Sequence, residues 1–208
     1  MMGNTVGSQI SLNPKQNNVL LGTLLGDGSL ELNGRHVRLR TDHGIKQKEY
    51  VKWKHRIFFN LTKNKVKCFC MKADKRTNKK YRHCKFDTIS TPLLDKLYKI
   101  FYDNNKKRVP KNIVKILKEP LSLAVWFMDD GYKRNDCNAL RINTDAFNFD
   151  EQKLLQRCLE KNFGIKSKIH RKGEYWNIYI PNSDAIKFCR IIRPYVIPEM
   201  SYKISLTP

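Results

Sequence analysis

The sequence contains two similar apolar segments, each of which ends in Asp-Gly. Residues 20–28 read LLGTLLGDG and residues 123–131 read LAVWFMDDG. The aspartates before the two final glycines, Asp27 and Asp130, stand 103 positions apart, which is half of the 208-residue chain. Self-similarity at such a spacing is typical of a repeated structural unit, so the chain is predicted to fold as two related halves.

Both halves have the same predicted order of elements, α-β-β-α-β-β-α, and therefore an α+β fold. Asn13 and Pro14 are typical of a helix start, Gly28 of a helix end, and Asn33-Gly34 of a hairpin turn. In the N-terminal half, placed at 1–112, the predicted helices are 14–27, 46–61 and 92–102, and the predicted strands are 29–33, 36–42, 65–72 and 81–89. In the C-terminal half, placed at 113–208, the predicted helices are 122–130, 150–162 and one that Ser183 caps and that ends at Arg193, and the predicted strands are 140–144, 165–171 and 175–180.

The composition limits the kind of partner. The chain has 41 Lys and Arg against 19 Asp and Glu, for a net charge of +22. Such a large positive charge is best explained by a polyanionic partner, and nucleic acid is the first candidate. The longest apolar stretches, 19–25 and 121–128, are far shorter than the roughly 18 residues that span a membrane. The N-terminus has no apolar signal core and no Arg-rich amphipathic pattern, so the protein is predicted to be intracellular rather than secreted.

The cysteines and histidines form no recognisable site. No cysteine pair has CxxC spacing, and no Cys/His group has zinc-finger spacing. We therefore expect reduced thiols, not disulfides or a zinc site, at Cys68, Cys70, Cys84, Cys137, Cys158 and Cys189. The five histidines are scattered along the chain, and we expect solvated or strand-face roles for them.

The two Asp-Gly sequences indicate a metal site. A carboxylate at a helix C-terminus is unfavourable by a few tenths to ~1 kcal/mol, because that end carries partial negative charge. One copy would be interpreted as an ordinary turn, but two copies at corresponding points of a repeat are not expected by chance. If the two helices pack together, which the small residues Gly22 and Gly26 favour, Asp27 and Asp130 meet and require a cation. Carboxylate and carbonyl oxygens are ligands that Mg²⁺ prefers.

At these residues the sequence resembles the LAGLIDADG homing endonucleases of the monomeric, two-motif form. The first copy matches the motif at Gly22, Asp27 and Gly28, and the second matches at Leu123, Ala124, Asp130 and Gly131. Val125 departs from the motif, which has a packing glycine there, and Asp129 adds a second acid. The resemblance covers nearly the whole chain.

The resemblance implies two motif helices at the seam between the halves and two antiparallel sheets that form a saddle over DNA. It implies site-specific double-strand cleavage of a long target that need not be palindromic, by a monomer. The implied metal, Mg²⁺ or Mn²⁺, is held by Asp27 and Asp130, with Gly26 and Asp129 as further ligands. Segments 104–110 and 197–203 resemble family segments that carry a catalytic lysine, here Lys107 and Lys203. These two lysines do not occupy matching positions in the repeat.

Alternation along the predicted strands places basic and amide side chains on one sheet face. Arg38 and Arg40 oppose Val37 and Leu39, for example. Such a face suits major-groove readout, because Arg contacts guanine and Asn contacts adenine. It is expected to carry almost no Asp or Glu. The predicted DNA-binding residues are Arg35, Arg38, Arg40, Lys67, Lys75, Arg76, Lys79, Lys80, Arg82, Lys85, Arg134, Arg141, Asn143, Lys166, Lys168, His170, Arg171, Lys172, Tyr175, Asn177 and Tyr179.

Two other functions stay open on the same scaffold: an RNA maturase that assists intron splicing, and a DNA-binding protein that has lost cleavage. Both Asp27 and Asp130 are present, which favours the nuclease. An intein origin is less favoured, because no splicing-domain sequence flanks the repeats. Abundant Lys, Asn and Ile are typical of AT-rich genomes, so the expected compartment is an organelle (mitochondrion or chloroplast) or a bacterial or phage-infected cytoplasm.

Overall fold

The computed structural model describes residues 11–73 and 75–206, which form two halves of the same topology. The N-terminal half contains α1 (Pro14–Leu25), β1 (Ser29–Asn33), β2 (His36–Gly44), α2 (Lys48–Ile57), β3 (Lys67–Cys70), β4 (Arg82–Asp87) and α3 (Pro92–Phe101). A connection follows with β5 (Tyr102–Asp103), β6 (Lys106–Lys107) and α4 (Ile113–Ile116). The C-terminal half contains α5 (Pro120–Asp130), β7 (Gly131–Lys133), β8 (Leu140–Asn143), α6 (Phe149–Phe163), β9 (Lys168–Lys172), β10 (Tyr175–Ile180) and α7 (Asn182–Ile192). The predicted α-β-β-α-β-β-α order is confirmed in both halves.

The two four-stranded sheets have equivalent topologies. Their strand orders are β1-β2-β4-β3 and β7-β8-β10-β9, and every pair is antiparallel. In each sheet the apolar side chains of alternate positions are buried, as at Val37 and Leu39 in β2 and Leu140 and Ile142 in β8. This alternation leaves the opposite face of each sheet for polar side chains.

Local sequence signals explain most helix boundaries. Asn13 and Gln16 form a capping box at the start of α1, and Gly164 ends α6 in the left-handed conformation with φ of 61°. The predicted cap at Ser183 is wrong, because α7 begins at Asn182 and the Ser183 hydroxyl donates to Asp184 instead. The hairpin β5–β6, helix α4 and strand β7 were not predicted, since each has only two to four residues and no measurable periodicity.

Helices α1 and α5 pack directly against each other and form the seam between the halves. A Cβ at Gly22 would meet the backbone oxygen of Ser122 and lie 2.7 Å from the Cβ of Val125. A Cβ at Gly26 would overlap the Asp129 side chain. The expectation that the motif helices meet at the seam is therefore confirmed.

The prediction of six reduced cysteines is wrong at one pair. Cys68 of β3 lies directly opposite Cys84 of β4, with their Cα atoms 4.1 Å apart, and the two form a disulfide. The register of two strands joined by a long loop cannot be inferred from sequence spacing, which is why the pair was missed. Burial raises the pKa of the Cys158 thiol to about 12, so this cysteine stays protonated.

The connection between the halves makes its contacts with the C-terminal half from Val109 onward. The Val109 N–H donates to Glu151 of α6, and Asn162 donates to the carbonyls of Val114 and Leu117. In the described part of the chain, no helix is long and apolar enough to cross a membrane.

Candidate active site and nucleic-acid interface

The two motif helices end side by side and place three carboxylates together. The Asp27 N–H donates to Oδ2 of Asp129 across the seam at 3.1 Å. Burial is the main cause of the raised pKa of Asp130, about 8, and the negative charges of Asp27 and Asp129 raise it further. Burial and Asp129 likewise raise the pKa of Asp27. Within residues 11–73 and 75–206, no hydrogen bond or ion pair reaches the Asp130 carboxylate, so its charge lacks a contacting cation.

Lys107 and Lys203 each donate to carbonyls at the end of one motif helix. Lys107 Nζ donates to the carbonyls of Gly26 at 2.6 Å and Gly28 at 2.8 Å. Lys203 Nζ donates to the carbonyls of Met128 at 2.5 Å and Asp129 at 2.9 Å. Each ammonium therefore lies at the partially negative end of one motif helix. Among the aspartates, Lys107 interacts most with Asp130, and Lys203 interacts most with Asp129 and then with Asp27. Burial lowers the pKa of both lysines.

The two lysines reach the helix ends from different elements, in agreement with their different positions in the repeat. Lys107 comes from the hairpin β5–β6, whereas Lys203 comes from a 3-10 helix, Pro198–Lys203. The two segments reach corresponding places by different backbone routes, so the lysines stand at different positions in the repeat.

A buried lysine beside the site was missed by the sequence analysis. Lys54 of α2 is fully buried and its Nζ donates to both Asp129 oxygens, at 2.7 and 2.9 Å. The Tyr50 ring centroid lies 4.5 Å from the same nitrogen. A signal was present, because Lys54 follows Tyr50 and Val51 at helical spacing on a face that is otherwise apolar. A lysine in the middle of such a face indicates a buried partner.

His43 also lies at the site. Of the two roles expected for the histidines, solvated or on a strand face, burial excludes the first for His43, which lies on strand β2. Its side chain is 1% exposed, with Nδ1 placed 3.4 Å from Oδ2 of Asp27 and Nε2 3.5 Å from Lys54 Nζ. Nδ1 also hydrogen-bonds with Gln47 at 2.8 Å. Burial, with Lys54 as the second cause, lowers the pKa of His43, so its neutral form is favoured.

The donor set fits a hard divalent cation. Ligand atoms of Asp27, His43 and Asp129 lie within 4.8 Å of one another. Both oxygens of Asp129 also accept hydrogen bonds from Lys54. Among the residues that the structure describes, no lysine or arginine contacts the carboxylates of Asp27 and Asp130, whose pKa values are raised first by burial and then by the neighbouring carboxylates. Carboxylate oxygens in this state suit Mg²⁺.

The polar face of the N-terminal sheet combines arginines with acids, which the sequence analysis did not expect. Arg38 lies opposite Glu31, and Arg40 lies opposite Asp87. Glu31 accepts hydrogen bonds from both arginines at 2.9 to 3.2 Å, and Asp87 is 3.3 Å from Arg40. Lys67 and Lys85 lie opposite each other on the same face, next to Asp42 and His83.

The polar face of the C-terminal sheet is basic and aromatic. His170 stacks on Tyr179 with ring centroids 4.5 Å apart, and Arg141 lies over the same tyrosine ring at 6.0 Å. The strand registers place on this face Arg141, Asn143, Lys168, His170, Lys172, Tyr175, Asn177 and Tyr179. Asn177 differs from the prediction because it is 1% exposed, covered by the longer side chains around it.

Other predicted DNA contacts lie at the margins or on the opposite face. Arg82 and Arg171 point away from the polar faces, because Arg82 shares the side of Cys84 and Arg171 lies opposite Trp176. Lys166 precedes β9 in a groove beside Glu160 and Asp184. Arg134 forms an ion pair with Asp136. Exposed loop positions are Arg35, Lys75, Arg76, Lys79 and Lys80.

This combination of fold and site defines a known class of protein. A family model described as the LAGLIDADG DNA endonuclease family matches residues 17–188, and the chain belongs to that family. A structure of the homing endonuclease I-WcaI bound to its DNA recognition sequence matches with a TM-score of 0.89 and 27% identity, over 100% of this chain and 96% of that one.

Curated relatives of the chain include both DNA endonucleases and maturases. DNA endonuclease I-ChuI of Chlamydomonas applanata is 29% identical, over 94% of this chain and 97% of its own length. Cytochrome b mRNA maturase bI2 of Debaryomyces hansenii is 31% identical, over 89% of this chain and 72% of its own length. The predicted family and fold are thereby confirmed, and the predicted activity has support at the level of the family.

Proposed function

We propose that this protein is a site-specific endonuclease that hydrolyses both strands of a DNA duplex. The observation that carries this proposal is the pair of half-buried carboxylates, Asp27 and Asp130, at the abutting ends of α1 and α5, together with two lysines, Lys107 and Lys203, that donate to the carbonyls of these helix ends. A symmetric pair of acid and lysine groups matches the two phosphodiester bonds that a double-strand cut requires. The likeness to a DNA-bound homing endonuclease supports the same substrate.

Asp27 and Asp130 are the residues that would hold the divalent cation, Mg²⁺ or Mn²⁺. Bound there, the cation would lower the pKa of a water molecule and neutralise charge on the phosphate. Lys107 and Lys203 hold ammonium groups at the helix ends, where they stabilise negative charge that develops on the phosphate. His43 lies beside Asp27, with Nδ1 3.4 Å from Oδ2, and could act as a further ligand.

The two sheet faces would position the duplex. The N-terminal face presents arginines that form ion pairs with acids. The C-terminal face presents Arg141, His170 and Tyr179 without such acids between them. Two different faces on one chain read different half-sites, so the target is long and need not be palindromic, and a monomer suffices. The proposed setting is a mobile intron in an organelle (mitochondrion or chloroplast) or in a bacterial or phage genome.

The test is cleavage of a duplex that joins the two exons flanking this reading frame. We expect a double-strand cut with Mg²⁺ and none with EDTA. Specific binding of this duplex without cleavage in Mg²⁺ or Mn²⁺ would contradict the nuclease and indicate a DNA-binding protein that has lost catalysis.

A maturase is the second candidate function, because one relative of similar identity is named an mRNA maturase. The discriminating measurement is binding and splicing of the host intron RNA with the same protein preparation. Splicing assistance without DNA cleavage would replace the nuclease proposal, whereas both activities together would extend it.

The raised pKa of Asp130 predicts a pH-dependent stability of the metal-free protein. The folded state keeps a proton on Asp130 up to about pH 8, whereas the unfolded chain releases it near pH 4. The folded state therefore binds more protons between these values, and stability falls as pH rises through this window. We expect thermal unfolding in EDTA to show this fall in wild type relative to Asp130→Asn, which retains Asp27 and His43. Equal pH profiles for the two proteins would contradict the assignment.

A further inference from the structure

A chain of hydrogen bonds crosses the seam from α2 to the end of α1. Lys54 Nζ donates to both carboxylate oxygens of Asp129, and Oδ2 of Asp129 accepts the N–H of Asp27. The Lys54 and Asp129 side chains are both 0% exposed. A buried ion pair with this geometry is rigid, because separating the charges would leave each one uncompensated in the interior. Lys54 thus fixes the backbone of Asp27 through Asp129.

This set of contacts from Lys54 through Asp129 to the Asp27 N–H, called the brace below, differs between the two repeats. Asp129 immediately precedes Asp130, and the residue at the same place in the first repeat is Gly26, which has no side chain to reach back across the seam. The counterpart of α2 in the second half is α6, whose buried polar residues bond elsewhere. Glu151 bonds to Asn148 and Val109, and Gln152 bonds to Thr144 and Phe147. In the described part of the chain, no equivalent brace reaches Asp130.

We propose that Lys54 is a positioning residue that acts on Asp27 through Asp129, and that it serves only one of the two cleavage sites. This inference rests on the proposed nuclease function, in which Asp27 and Asp130 each serve one strand. Loss of the brace removes one of the contacts that hold the backbone around Asp27, leaving those of Lys107 with the Gly26 and Gly28 carbonyls, while Asp130 keeps its helical backbone position. The consequence is unequal cleavage of the two strands, with accumulation of nicked duplex.

The first test measures the rate constant for cleavage of each strand, on a duplex whose two 5′ ends carry different labels. The strand served by Asp27 is identified as the one that Asp27→Asn slows more than Asp130→Asn does. For Lys54→Met we expect that strand to slow about tenfold, the effect of one lost hydrogen bond to a charged group, and the other strand to change little. The matched control is Lys52→Met on the same helix, whose ammonium pairs with Glu49 at the surface, 2.8 Å away. Equal slowing of both strands would overturn the proposal.

Two double variants keep the test informative if Lys54→Met fails to fold. Lys54→Met/Asp129→Asn and Lys54→Met/Asp129→Ala both remove the buried charges, and they differ in whether an oxygen remains to accept the Asp27 N–H. We expect the asparagine form to recover even cleavage of both strands and the alanine form to retain the strand bias. The same balance of strands in both forms would contradict a brace through Asp129.

A second readout does not depend on cleavage. Hydrogen exchange of the Asp27 amide, followed by NMR, should accelerate in Lys54→Met, which keeps the Asp129 acceptor, and also in Lys54→Met/Asp129→Ala, which removes it. The Gly28 amide, which donates to the Thr23 carbonyl at 2.9 Å, should exchange as in wild type. Unchanged exchange at Asp27 would overturn the brace. If wild type cuts neither strand, the nuclease proposal fails, and the exchange measurement alone still decides whether Lys54 positions Asp27.

Discussion

Replacing either Asp27 or Asp130 with asparagine is expected to lower double-strand cleavage on the order of 10³-fold, the loss typical of a removed charge-stabilising group. Asparagine has the shape of aspartate but lacks the negative charge that holds a divalent cation. The remaining carboxylate would serve at most one strand, so residual product should be nicked rather than cut. The measurement is the rate of linearisation of a plasmid that carries the target site, at saturating Mg²⁺.

The same variants should not unfold, which separates a chemical role from a structural one. Each substitution removes a like-charge repulsion among Asp27, Asp129 and Asp130, so metal-free stability at pH 8 should be equal to wild type or higher. A matched control is Asp150→Asn, because Asp150 lies on the surface of α6 and pairs with Lys153. Wild-type cleavage by either Asp27→Asn or Asp130→Asn would remove that aspartate from the proposed site.

The ends of the motif helices were predictable because their signals are local. Asp27 and Asp130 each follow a long apolar run and precede a glycine. Because they stand at corresponding points of the repeat, each occurrence supports the interpretation of the other. Lys107 and Lys203 could be named only through the family resemblance, since the chain contains many other lysines. Their shared contact with helix-end carbonyls depends on two unrelated backbone paths, which no spacing rule describes.

Contacts between residues that only the tertiary fold brings together were not predictable from the sequence. Lys54 and Asp129 are 75 positions apart, and neither has a neighbour in sequence that indicates the other. The acids on the N-terminal face were missed for a related reason. Alternation within β2 identified Arg38 and Arg40, but Glu31 and Asp87 lie beside them only through the register with β1 and β4. Sequence periodicity predicts which face a side chain occupies, not which partner it meets.

The close packing of α1 on α5 predicts a large loss of stability for Gly22→Ala. The new Cβ would collide with the backbone oxygen of Ser122, which cannot rotate away, and would lie 2.7 Å from the Cβ of Val125. Overpacking of this kind costs about 1–3 kcal/mol, and a backbone contact places it at the upper end. The gain of alanine over glycine in a helix, about 1 kcal/mol, offsets only part of this. We expect a net loss of about 2 kcal/mol, read from urea unfolding.

Gly44→Ala is the matched control for this prediction. A Cβ at Gly44 meets nothing within 4 Å, and its φ of −59° is one that alanine adopts readily. Its free energy of unfolding should therefore stay within about 0.5 kcal/mol of wild type, as for other surface substitutions. Gly22→Ala should also lower cleavage, because parting the helices moves Asp27 away from Asp130. An unfolding free energy for Gly22→Ala equal to that of Gly44→Ala would mean that the helices are not in contact at this point of the seam.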